Sequence, residues 1–196
     1  QHRGQESCGI ATGEHGKIDF YKDTGLVTEV FPSSRLKKFT GKKLAIGHVR
    51  YPTSGQNSVI NAQPFVIRYK SGKLAIAHNG NLVNAAQLES ALAECGALFH
   101  TQSDTELMLH CIAHFSQGSL EDAIVQTMKT IKGSYSVVMT DGHRLIGLRE
   151  NRFGFEGLCL RQDVRRLPEL TAERPTIEEI MLFFTKSRMK NRRSDI

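Results

Sequence analysis

Apolar residues in this chain recur in short runs that alternate between a period of two and a period of three to four, with turn and capping residues where the period changes. Residues 9–12 and 17–21 read as strands of a hairpin around Gly13-Glu14-His15-Gly16. Residues 33–39 read as a short basic helix with Leu36 and Phe39 on one side, and residues 44–50 as a strand. A second hairpin is expected from 64–69 and 73–78 around Ser71-Gly72. Asn84 then caps a helix to Cys95, with Leu88, Leu92 and Cys95 at core spacing. Ser103-Asp104-Thr105-Glu106 has the capping-box pattern and opens a helix to about Phe115. Ser119 opens another, with Ile124, Met128 and Ile131 on one face. Residues 134–140 and 144–149 form a last hairpin on the turn signal Asp141-Gly142. Three hairpins and three amphipathic helices predict an α+β domain with a two-sheet core.

Composition narrows this picture at the end of the chain. At 196 residues there is room for one domain with a sizeable core. All 17 glycines fall before residue 161, while seven arginines crowd into 161–196. We therefore expect a domain over 1–160 and a basic tail over 161–196, with a helix start at Pro175-Thr176. The net charge of +6 is not laid out as a stripe with interleaved aromatics, so no nucleic-acid partner is expected. No apolar run approaches the ~20 residues of a membrane span, which favours a soluble cytoplasmic protein with no membrane partner. Cys8, Cys95, Cys111 and Cys159 show neither CxxC spacing nor a disulfide framework, and read as reduced thiols. His110 and His114 stand four apart on a helix, but no third ligand is suitably spaced, so a structural role is expected and no metal site.

Four strings carry the chemistry: Gln1-His2-Arg3-Gly4-Gln5-Glu6-Ser7, Gly47-His48-Val49-Arg50-Tyr51-Pro52-Thr53, His78-Asn79-Gly80-Asn81 and Ser103-Asp104-Thr105-Glu106. Singly each has a plain reading. An Asn-Gly pair is usually a turn, and Ser-Asp-Thr-Glu usually only a cap. In this order, over residues 1 to about 160, they resemble the glutaminase half of the amidophosphoribosyltransferase family. Asn61-Ala62-Gln63-Pro64-Phe65 and Asn79-Gly80-Asn81-Leu82-Val83-Asn84 point the same way. Glutamine–fructose-6-phosphate transaminase and asparagine synthetase share the Asn-Gly string but are less similar elsewhere. Past residue 160 the resemblance ends.

The resemblance implies an N-terminal nucleophile hydrolase fold, a four-layer αββα sandwich, here without the family's first strand and helix. It implies release of ammonia from L-glutamine for phosphoribosylamine formation in purine biosynthesis. Arg50 and Thr53 would hold the substrate carboxylate, for which a guanidinium fork is suited. Asp104, at a helix start, would hold the ammonium. Asn79 and Gly80 would form the oxyanion hole, through a side-chain amide and a backbone N–H, and Arg3 would help position the nucleophile. The family's nucleophile is a cysteine at the first residue, whose α-amine, of pKa ~7.7–8, serves as base. Gln1 stands at the start here, so the chain as given is expected to be inactive. The alternative is a non-catalytic, truncated glutamine-binding module. Cys8 could substitute as nucleophile, but a small buried residue is the expected role. No cofactor is expected in this part. Magnesium and phosphoribosyl pyrophosphate would belong to a phosphoribosyltransferase domain not represented here; some family members carry an iron–sulfur cluster, and none of the four cysteines is assigned to one. The intact protein is expected to be a homo-oligomer.

Overall fold

A computed structural model describes residues 6–51, 58–70, 72–151 and 154–158. Among these the chain builds two antiparallel sheets. One has the order β2-β1-β3, from Ser7–Glu14 (β1), Lys17–Thr24 (β2) and Leu44–Arg50 (β3). The other runs β4-β5-β6-β7-β8, from Phe65–Tyr69 (β4), Gly72–Leu82 (β5), Gly133–Thr140 (β6), Leu145–Asn151 (β7) and Gly154–Leu158 (β8). The helices are Val27–Val30 (α1), Ser33–Leu36 (α2), Ala85–Glu94 (α3), Asp104–Phe115 (α4) and Leu120–Thr130 (α5).

Three apolar clusters separate four layers. Leu74 and Ile76 of β5 face α3, α4 and α5 and pack with Leu88, Leu92, Met108, Ile112, Ile124 and Met128. Between the sheets, Ala11, Ile18 and Ile46 meet Ala75 of β5. On the far side of the three-stranded sheet, Cys8 packs with Val30 and Phe31 of the short helices, and Ile10 and Val49 flank them. The molecule is thus the expected αββα sandwich. The period-two alternation of β5 is what makes it so, because successive side chains serve different layers.

The helices form close to where their caps predict, but two caps work differently. Ser103 accepts from the Thr105 backbone N–H, yet Glu106 does not close a capping box. Its carboxylate instead accepts from the backbone N–H groups of His100 and Thr101 and from the Thr101 hydroxyl, at 3.0, 2.7 and 2.7 Å. Burial pushes the Glu106 pKa up, but these hydrogen bonds outweigh it and hold the carboxylate below its ordinary value. Asn84 likewise makes no side-chain cap to α3. Its carboxamide donates to Thr130 O (3.1 Å) and accepts from Lys132 N (2.9 Å), tying the start of α3 to the α5–β6 link. Ser119 and Asp122 form a complete capping box on α5.

Candidate active site

The strand β5 runs through His78-Asn79-Gly80-Asn81 to Leu82, four residues beyond the end expected from its hydrophobic pattern. Polar residues lengthen it because β6 pairs with it throughout, matching Asn79 with Ser136 and Gly80 with Tyr135. Gly80 is obligatory here. Its φ of +140° lies where side chains are strained, and a Cβ would stand 2.1 Å from Ser134 O. The close approach of β6 behind Gly80 leaves its other side open, and both Asn79 and Gly80 are exposed.

Parity then divides the string between layers. His78 points toward the helices, buried, with Nδ1 3.4 Å from the Thr105 hydroxyl of α4. Burial, with His48 adding, lowers its pKa to about 4. Asn79 points toward the other sheet, where its Oδ1 lies 2.9 Å from His48 Nε2 on β3. Two residues along β3, Arg50 donates from Nη1 to Glu6 Oε1 at 3.1 Å, a pair in which the Glu6 side chain is only 6% exposed. Beyond Gly80, the Leu82 backbone N–H donates to Asp104 Oδ2 at 2.7 Å. A strand advances ~3.3 Å per residue, so Asp104 is anchored about 10 Å along β5 from Asn79. These contacts tie Arg50, through its strand, and Asp104, through Leu82, to the rim formed by the Asn79-Gly80 end of β5. Thr53 and Arg3 lie outside the described residues.

The sequence reading missed two supports of this rim. The ladder of β4 ends with Phe65 opposite Ile76. Two residues further on, the buried Gln63 carboxamide takes over the ladder's work. Its Nε2 donates to His78 O (3.1 Å) and its Oε1 accepts from His78 N (2.7 Å). A glutamine presents one donor and one acceptor like a peptide group, so it prolongs the sheet by a side chain. Gly9 of β1 makes room for it, since a Cβ there would meet Gln63 O at 2.3 Å. Lys22 braces the same turn, donating to Ala62 O at 2.5 Å with its ammonium 4.4 Å from the Phe65 ring centroid. Burial lowers the Lys22 pKa to about 8, partly opposed by Glu106. The Gln63 role could have been suspected from a polar residue inside an otherwise apolar string; nothing in the sequence flagged Lys22.

Cys8 does not reach the rim. It is 2% exposed on the opposite face of its sheet, and burial, with Asp23 adding, raises its thiol pKa to about 11. It is the small buried residue anticipated. His110 rests edge-on against Phe99 at 4.8 Å, and among the described residues no group of His, Cys, Asp or Glu could hold a metal ion. No helix among them is long and apolar enough to cross a membrane.

A fold of two antiparallel sheets between helices is shared with a defined class. Residues 48–170 match the family described as glutamine amidotransferase domain, and the chain belongs to it. Within that class it is similar to amidophosphoribosyltransferases. It is 44% identical over 153 residues to the Bacillus subtilis enzyme, covering 77% of this chain and 32% of that one. It is 43% identical over 162 residues to the Archaeoglobus fulgidus enzyme, covering 82% and 35%. The chain spans about a third of the length of such relatives. Among solved structures, the glutamine phosphoribosylpyrophosphate amidotransferase of B. subtilis complexed with ADP and GMP superposes with a TM-score of 0.69 at 41% identity, over 76% of this chain and 32% of that one. A structure described as the allosteric regulatory enzyme of purine biosynthesis gives 0.71 at 42% identity, over the same shares of the two chains.

Proposed function

We propose that this domain binds L-glutamine along the rim and provides for release of its side-chain amide as ammonia. The observation that supports this most directly is the exposed Asn79-Gly80 pair, joined through His48 to the strand of Arg50 and through Leu82 to Asp104. Arg50 takes the substrate carboxylate and Asp104 its ammonium, and reading both charges selects free glutamine over a glutaminyl side chain in a peptide. Asn79 and the Gly80 N–H stabilise the oxyanion. Thr53 at the carboxylate and Arg3 beside the nucleophile complete the assignment, from the family resemblance alone. Cys8, buried and protonated, takes no part. In the longer proteins of this family the ammonia would go on to phosphoribosyl pyrophosphate in purine biosynthesis, with magnesium serving that second reaction.

Calorimetry of the chain with L-glutamine, against N-acetylglutamine and glutamine amide, tests the binding half. Asp104→Asn leaves the substrate ammonium unmatched, which typically costs ~2–5 kcal/mol, or roughly 30- to several-thousand-fold in affinity. Arg50→Lys keeps the charge but loses the bidentate fork, and is expected to weaken binding by less. The catalytic half is tested in a chain led by a cysteine with a free α-amine. There Asn79→Ala is expected to lower kcat about 10²–10³-fold with a smaller change in KM, because the oxyanion exists only during reaction. Unchanged affinity in the first pair, or unchanged kcat in the last variant, would show those roles to be wrong. Binding without ammonia release in the cysteine-led chain would leave a glutamine-binding module.

A further inference from the structure

A carboxamide can serve an oxyanion only if its NH₂ end faces the reacting atom; the other end would repel it. On the rim the oxygen end of Asn79 is already engaged, with Oδ1 2.9 Å from His48 Nε2. Whether that contact orients Asn79 depends on where the imidazole carries its proton. Burial pushes the His48 pKa below its ordinary value and the Arg50 charge adds to this, against the hydrogen bond with Asn79 and the nearness of the His78 backbone. The ring is then neutral near pH 7 and has one N–H. His48 Nδ1 is buried and has no hydrogen-bond partner among the described residues. A proton there would be an unpaired buried donor and would leave two lone pairs facing each other across the Asn79 contact. On Nε2 the same proton satisfies Asn79 Oδ1 and leaves only an acceptor unpaired.

We propose that His48 is a positioning residue: its Nε2–H holds the Asn79 oxygen, so that the Asn79 NH₂ is turned toward the position where the oxyanion develops. This rests on the reading of Asn79 as an oxyanion donor. The fold makes the arrangement economical, since His48 and Arg50 share parity on β3 and so face the same side of their sheet. One strand supplies both the carboxylate ligand and the group that orients the oxyanion donor.

Two measurements test it. In the 196-residue chain, long-range ¹H–¹⁵N NMR of the histidine rings at pH 7 is expected to show His48 as the Nε2–H tautomer. Any other state of that ring overturns the proposal. In the cysteine-led chain, His48→Ala is expected to lower kcat by ~10- to 100-fold, less than loss of the donor itself, with KM within about twofold. His48→Gln keeps a donor and should recover most of the rate. In an Asn79→Ala background, His48→Ala should have no further effect on kcat. If the two losses multiply, or if His48→Ala acts on KM alone, the proposal falls while the oxyanion reading stands. If Asn79→Ala alone leaves kcat intact, it is the oxyanion reading that falls. Should His48→Ala not fold, the His48→Gln rate and the tautomer decide.

Discussion

At the residue scale, the rim is supported by polar side chains bonded to backbone and side-chain groups of the fold. Gln63 is the clearest case. Gln63→Leu keeps the approximate volume but leaves the buried N–H and C=O of His78 unpaired, each at ~1–3 kcal/mol. Chemical denaturation should therefore show a loss of a few kcal/mol, and a loss below about 0.5 kcal/mol would show that water replaces the carboxamide. His78 provides a pH signature. Its folded pKa of about 4 lies below the ordinary value of 6.5, so between these values the unfolded chain binds more protons than the folded one. Stability is then fully present above about pH 6.5 and is lost as pH falls toward 4, by up to ~3 kcal/mol. Thermal unfolding at pH 7 and pH 5 should show the drop in the native chain. In a His78→Gln variant, which cannot titrate there, the drop should shrink; an equal drop in both would assign it to other groups.

At the scale of elements, most boundaries were legible because the hydrophobic period and the caps agreed. Asp104–Phe115 and Leu120–Thr130 begin where Ser103 and Ser119 announce them. Ile124 and Met128 are buried as their spacing requires. The end of β5 was not legible. His78 through Asn81 carry no apolar alternation, and only pairing with β6, more than fifty residues away, extends the strand. The same limit hid Val27–Val30 and the turn of 3₁₀ helix at Val59–Asn61, which are too short to show a period. For the candidate site, Arg50, Asn79, Gly80 and Asp104 were proposed as residue types in a family order, whereas Gln63, Lys22 and His48 owe their positions to tertiary packing. Glu106 makes the point in energetic terms. Its sequence position suggests a cap, but its hydrogen bonds fasten the segment before the helix. Glu106→Gln should thus destabilise the chain by ~1–3 kcal/mol and loosen protection of the His100 and Thr101 amides, leaving α4 itself helical. Melting of α4 seen by circular dichroism would restore the capping role.

At the scale of the whole molecule, three apolar clusters of described residues hold four layers together. A chain ending at residue 160 should keep its stability within about 1 kcal/mol, or ~2–4 °C in Tm. A larger fall would mean that residues 161–196 pack on the domain. One bond described above also makes the site observable without any label. The Leu82 amide ends in the Asp104 carboxylate and so ties the oxyanion strand to the helical layer. If Asp104 receives the substrate ammonium, charge drawn from the carboxylate weakens its hold on that amide, so solvent deuterium should enter at Leu82 at a rate that tracks glutamine occupancy. A single backbone proton would then serve as a gauge of how full the site is, in a chain that need not turn over at all.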